Sequence, residues 1–167
     1  MVLPGSGLGQ LPMYVTIMNQ PTELIYNVLL ADDSTDDRFL LRSAMGHTGR
    51  LRVVAELADG SEVVAYLKGR DPYGDRARYP TPDLLLLDLK MPQLDGFEVL
   101  EWMRSQSFPG MMTVVLTDSM QAEHLKRALD LGADLYQVKP RGTAERASMA
   151  LALEEFISRA VRLPQPK

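Results

Sequence analysis

An open, doubly wound α/β sheet is the fold class this sequence predicts, and three observations predict it. From Asn27 to Val161, short apolar runs alternate with longer stretches of helical periodicity, the pattern of parallel strands joined by crossover helices. One run, Leu84-Leu85-Leu86-Leu87, is apolar without interruption, as a central strand covered on both faces must be. Polar residues also stand at, or just past, the ends of four of these runs: Asp32-Asp33, Asp88, Thr117 and Lys139. In such sheets ligands bind beyond the carboxyl ends of the strands, where the strand order reverses.

Taken in order, residues 1–26 read as an N-terminal tail, because Pro4, Gly5, Gly7, Gly9 and Pro12 break any regular pattern. A short strand or helix around Met13–Met18 is compatible with the residues there. The first strand, Val28–Ala31, runs into Asp32-Asp33, and Ser34 then caps a helix with an acidic first turn, Asp36 and Asp37. Phe39, Leu40, Ala44 and Met45 supply its expected apolar face, and Gly46 its end. Arg52–Leu57 is a second, more polar strand, followed by a short helix over Ser61–Lys68. After the third strand, Asp95 and Glu98 form a capping box that opens a helix to about Ser105. Met112–Leu116 is the fourth strand, running into Thr117. Ser119 is the expected cap of a helix carrying Leu125, Ala128 and Leu129 and stopping at Gly132. Leu135–Val138 is the fifth strand. A last helix over Thr143–Val161 carries Met149, Leu153, Phe156, Ile157 and Ala160 as its buried stripe. Residues 162–167 are a C-terminal tail.

Five strands and five helices with right-handed crossovers favour the flavodoxin-like strand order 2-1-3-4-5, which puts the two most polar strands at the edges. Composition narrows the function. The chain of 167 residues carries a net charge of -4 with no basic stripe, which argues against a nucleic-acid surface. Zero cysteine removes disulfides, thiolate metal sites and cysteine nucleophiles. No apolar run approaches the ~18–20 residues that span a bilayer, and no signal-peptide layout is present, so a cytoplasmic protein is expected.

The chemistry follows from the strand-end residues. Adjacent carboxylates raise one another's pKa unless a cation neutralises them, and Mg2+, which takes one or two carboxylates and a phosphate oxygen, suits the set. One carboxylate can then attack phosphorus to form an aspartyl-phosphate. Lys139 can pair with a phosphoryl oxygen, and Thr117 can donate its hydroxyl to another.

In this order and spacing, Asp32-Asp33, Asp88, Thr117 and Lys139-Pro140 resemble the receiver domain of two-component response regulators, over residues 27–161. The fold the resemblance implies is the CheY-like one. It implies that Asp88 is the phospho-acceptor, and that Asp32, Asp33, Asp88 and the backbone carbonyl of Lys90 hold Mg2+. It implies that Thr117 and Lys139 bind the phosphoryl group, that Thr117 and Tyr136 form the switch, and that Lys139–Pro140 is a cis bond. The Met91-Pro92…Asp95-Gly96 segment matches the family's loop after the acceptor. The implied partners are a histidine kinase or histidine phosphotransfer protein and a downstream protein, with neither nucleic acid nor membrane. A homodimer through the fourth-helix/fifth-strand face is common in the family.

Three features depart from the family pattern. Asp118 stands where a small residue is usual, and its carboxylate reads either as narrowing the phosphate pocket or as pointing to solvent. Lys90, two past the acceptor, is expected to shield the acyl phosphate or obstruct the attacking water, giving a long-lived phospho-form. The 69–82 segment, with Arg70, Tyr73, Arg76, Arg78 and Tyr79, exceeds the ~2–6 residues usual for such loops. It resembles stand-alone receivers that serve phytochrome-like and hybrid histidine kinases, and reads either as a kinase contact or as a solvated insertion. About six residues follow the last helix, too few for an output domain, so a single-domain response regulator is expected, with no enzymatic activity beyond its own phosphorylation and dephosphorylation. The alternative is an atypical, non-phosphorylated receiver acting as a docking module. A metal-dependent phosphohydrolase would want an acid two residues after its nucleophile, where Lys90 stands. His47 and His124 lack metal-ligand spacing and read as surface or helix-end residues, and Trp102 as core or helix face.

Overall fold

The computed structural model describes residues 24–162. Strands β1 (Tyr26–Ala31), β2 (Leu51–Leu57), β3 (Leu84–Leu87), β4 (Met112–Thr117) and β5 (Leu135–Val138) alternate with helices α1 (Thr35–Gly46), α2 (Gly60–Lys68), α3 (Gly96–Arg104), α4 (Ala122–Asp130) and α5 (Thr143–Arg162). The sheet is parallel throughout, in the order β2-β1-β3-β4-β5 expected from the sequence. These elements begin and end one residue outside the expected 27–161 boundaries, at Tyr26 and Arg162. The element suggested around Met13–Met18 lies outside the described residues.

Two cores cover the sheet, and strand pleating divides the residues between them. Leu84 and Leu86 pack with Val28, Leu30, Val114 and Leu116 against α1 and α5, through Leu41, Met45, Met149, Leu153 and Ile157. Leu85 and Leu87 face the other way, joining Leu29, Ala31 and Val115 against α2, α3 and α4. The uninterrupted leucines of β3 thus reflect burial on both sides. β2 and β5 are the partly exposed edges.

Several local expectations change. In α1 the buried residues are Leu41 and Met45, one helical turn apart, whereas Phe39 and Leu40 are exposed. Phe39 lies about 200° around the helix from Leu41, and its ring sits under the Arg42 guanidinium, 5.7 Å away. α2 starts at Gly60, with Asp59 as N-cap. α4 starts at Ala122 after Gln121, and no side chain caps it; Ser119 lies outside the helix. Only Ala128 of its apolar residues is buried, while Leu125 and Leu129 are exposed. Lys139–Pro140 is trans, and among the described residues the cis bond is Asp71–Pro72. The Lys139 N–H donates to the Thr117 carbonyl at 2.9 Å.

The 69–82 segment is folded onto α2. Tyr73 and Tyr79 pack on Tyr66 with ring centroids 5.1 and 6.1 Å away, and the Tyr66 hydroxyl donates to the Pro80 carbonyl at 2.8 Å. Arg76 donates to the carbonyls of Tyr66 and Leu67, both at 3.1 Å, satisfying acceptors at the end of α2. Burial pushes the Tyr66 hydroxyl up to about 12. The segment ends where the Asp83 N–H donates to the Asn27 carbonyl, at the amino ends of β1 and β3. That is the opposite end of the sheet from the strand-end carboxylates, so the placement does not favour contact with a phosphodonor at that site.

Candidate phosphoryl and metal site

The strand ladder sets the site. Ala31 pairs with Leu87, and the Asp88 N–H donates to the Ala31 carbonyl at 2.9 Å, so Asp32 and Asp88 leave neighbouring strands side by side. Oxygens of Asp32, Asp33 and Asp88 lie within 4.8 Å of one another; Asp32 and Asp88 are buried and Asp33 is exposed. Thr117 is fully buried at the end of β4 and pairs with Val138, which places Lys139 just beyond it.

Lys139 reaches back across the pocket. Its ammonium lies 2.7 Å from Asp32 Oδ2, 3.1 Å from Asp88 Oδ2 and 3.3 Å from Asp37 Oδ2, one partner for each of its three N–H donors. Asp37 is the residue the sequence reading missed. It counted there only as part of an acidic first turn, although the turn that follows Asp32-Asp33 must overhang the pocket. Ser34 fixes that turn: its hydroxyl accepts the Asp37 N–H at 3.2 Å, and its own N–H donates to Asp32 Oδ1 at 2.9 Å.

Burial is the largest influence on both buried carboxyls and pushes them above the usual range, against the pull of Lys139. Burial alone would lower the Lys139 ammonium. Its hydrogen bonds and charge contacts with Asp32 and Asp88 outweigh that and hold it above its ordinary value. Three carboxylates facing one ammonium leave excess negative charge in a largely dry pocket. A hard divalent cation fits this donor set, since carboxylate oxygens are its preferred ligands and its charge offsets the cost of ionising them.

The remaining expected residues sit around this centre. Lys90 is exposed, and its backbone N–H pulls the Asp88 carboxyl downward. Asp118 is exposed, so burial gives no support to a narrowed pocket or to the docking-module alternative built on it. Tyr136 is half-buried and its hydroxyl donates to the Ser119 carbonyl at 2.9 Å. Thr117 Oγ1 accepts the Ser119 N–H at 3.3 Å. The loop after Asp88 is closed by Gly96, whose N–H donates to the Leu89 carbonyl at 3.0 Å. A Cβ on Gly96 would stand 2.4 Å from the Asp88 carbonyl oxygen, so only glycine allows α3 this close. No helix among the described residues is long and apolar enough to cross a membrane.

The chain is similar in sequence and fold to several known proteins. The response regulator Rcp1 of Synechocystis sp. is 30% identical over 138 residues, 82% of this chain and 92% of that protein. A structure of Rcp1 in its Mn2+-bound form matches at a TM-score of 0.69 with 27% identity, over 85% of this chain and 99% of that one. The phosphorylated cyanobacterial phytochrome response regulator RcpA matches at a TM-score of 0.72 with 29% identity, over 84% and 99% of the two chains. A protein-glutamate methylesterase/protein-glutamine glutaminase of Methanospirillum hungatei is 34% identical over 116 residues, 69% of this chain, but the match spans only 31% of that longer protein. Residues 28–150 match the response regulator receiver domain, and with the five-stranded sheet and the acidic strand ends in place, the chain belongs to that family.

Proposed function

We propose that the chain is a stand-alone, cytoplasmic response regulator that takes a phosphoryl group onto Asp88 from a phosphohistidine of a histidine kinase or phosphotransfer protein. The observation that carries this is Asp88 itself: a buried carboxylate between the acidic pair of β1 and the Lys139 ammonium, 3.1 Å away. An oxygen of Asp88 attacks phosphorus, the N–P bond of the donor breaks, and the imidazole nitrogen keeps the electron pair and later takes a proton from water. Lys139 then pairs with a phosphoryl oxygen, and the Thr117 hydroxyl donates to another. Mg2+ held by Asp32, Asp33, Asp88 and the Lys90 carbonyl would neutralise charge on the transferring group.

Signalling follows as a population shift. Thr117 advances toward the phosphoryl group, the Tyr136 hydroxyl leaves the Ser119 carbonyl, and the face formed by α4, β5 and α5 changes for a downstream protein or a second copy of the chain. The test is intact-protein mass after incubation with Mg2+ and acetyl phosphate, for wild type and Asp88→Asn. A gain of about 80 Da in wild type alone is expected, since one carboxylate carries the covalent intermediate. No gain in wild type from acetyl phosphate or from a phosphorylated kinase would refute the reading.

A further inference from the structure

Ser119, in the loop between β4 and α4, has every polar group engaged. Its N–H donates to Thr117 Oγ1 at 3.3 Å, and its carbonyl accepts the Tyr136 hydroxyl at 2.9 Å. Its side chain meets His124 Nδ1 at 2.7 Å and accepts the Gln121 N–H at 3.3 Å. With that N–H on one lone pair, the hydroxyl keeps its O–H and a second lone pair for Nδ1, and the imidazole tautomer sets which of the two donates. The residue is buried and bonded at once to Thr117, Tyr136 and α4. α4 lacks a side-chain cap, and the Ser119–His124 bond adds a side-chain tie between the loop and the first turn of the helix.

The imidazole is itself held in place. Its ring meets Phe97 of α3 edge-on, with centroids 5.4 Å apart. Arg127 lies 4.2 Å over the same phenyl ring and reaches Glu101 at 3.1 Å. His124 is thus braced against α3 as well as carried by α4.

We propose that His124 is a positioning residue for the switch, pinning Ser119 so that Thr117 and Tyr136 stay in the arrangement seen here. The inference rests on the receiver reading above. For Tyr136 to turn, its hydroxyl gives up the Ser119 carbonyl. For Thr117 to advance, the Ser119 N–H must follow or let go. Both movements are resisted while the Ser119 side chain is fastened to His124.

The test compares His124→Leu, which removes the bonding nitrogen, with His124→Asn, which keeps a polar atom at nearly the same reach. Fluorotyrosine-labelled protein reports Tyr136, its signal assigned with Tyr136→Phe, and beryllofluoride with Mg2+ serves as the phosphoryl mimic. In His124→Leu the Tyr136 signal should move toward its beryllofluoride-bound position before any ligand is added. Beryllofluoride affinity should tighten about fivefold, the equilibrium worth of one net hydrogen bond. His124→Asn should stay near wild type. Ser119→Ala removes the same bond from the other side. It also frees the Gln121 N–H, so it should shift both readouts at least as far as His124→Leu, and the double variant should go no further than Ser119→Ala. A folded His124→Leu with wild-type signal and affinity overturns the proposal. So does His124→Asn behaving like His124→Leu, which would assign the effect to packing on Phe97. Wild type that takes neither phosphoryl group nor beryllofluoride would sink the receiver reading instead, while the ligand-free Tyr136 signal still judges the latch.

Discussion

Lys139→Met removes the ammonium that faces three carboxylates and leaves a side chain of similar length. The Lys139 side chain is 9% exposed, and those of Asp32 and Asp88 are 2% and 5% exposed. Removing one partner of a buried ion pair costs about 3–5 kcal/mol, because the other charge is left uncompensated. The lower end applies here, since the Asp37 side chain is 31% exposed and keeps its hydration. At about 3 kcal/mol, and about 2–4 °C per kcal/mol for a chain of this size, the metal-free variant should melt about 6–12 °C below wild type near neutral pH.

The sign with pH is fixed by the directions of the shifts. The Asp32 and Asp88 carboxyls sit above their ordinary value of 3.8 in the folded protein, so the folded state holds more protons than the unfolded one across that interval. Their contribution to stability is complete below the unfolded value and is lost as pH rises through the folded value. Without Lys139 the folded values rise further, and the variant's deficit should widen from mild acid to neutrality. Lys139 itself is held above 10.5, so its charge does not change over that range. Urea unfolding in mild acid and at neutral pH, with and without saturating Mg2+, measures all of this. Mg2+ should close much of the gap. A deficit that is equal at both pH values, or that Mg2+ leaves untouched, would refute the electrostatic reasoning and assign the loss to packing.

Three further outcomes are expected. Gly96→Ala should cost about 1–3 kcal/mol, the usual penalty of overpacking, because its Cβ would press on the Asp88 carbonyl; it should also slow phosphorylation by acetyl phosphate, read by intact mass. Arg76→Ala should cost about 1–3 kcal/mol in urea unfolding, since it leaves the Tyr66 and Leu67 carbonyls without this donor, yet it should leave the acetyl phosphate rate near wild type. Lys90→Asn should shorten the phospho-form by no more than about fivefold, the worth of one exposed charge, in a time course of intact mass.

The strands were legible because burial on both sheet faces demands unbroken apolar runs, and the clustered polar residues were legible because they sit where those runs stop. Helix facing was less so. Phe39, Leu40 and Leu41 are consecutive and apolar, so more than one phase satisfies a helical period, and packing against α5 chose Leu41. Ser119 carries a strong capping side chain two residues before the N-cap that the backbone adopts; it bonds to His124 instead. The 69–82 segment reads as a loop by length, but its tyrosines and Arg76 are organised by Tyr66 and the end of α2, a contact that local sequence does not encode. Asp37 was hidden for the same reason, since its partner lies 102 residues away.

Strand order favours Asp88, among three clustered carboxylates, for the phosphoryl group proposed above. β3 lies between β1, which presents Asp32 and Asp33, and β4, which presents Thr117 with Lys139 of β5 beyond it. Residues suited to a cation therefore flank Asp88 on one side, and residues suited to phosphoryl oxygens flank it on the other. A phosphoryl group on Asp32 would sit one strand farther from Thr117, about 4.8 Å, and out of reach of its hydroxyl. Asp33 is exposed, so water would compete for any group placed there. Topology thus supports the proposed role: of the three acidic residues, Asp88 alone stands at the end of a strand with both kinds of neighbour.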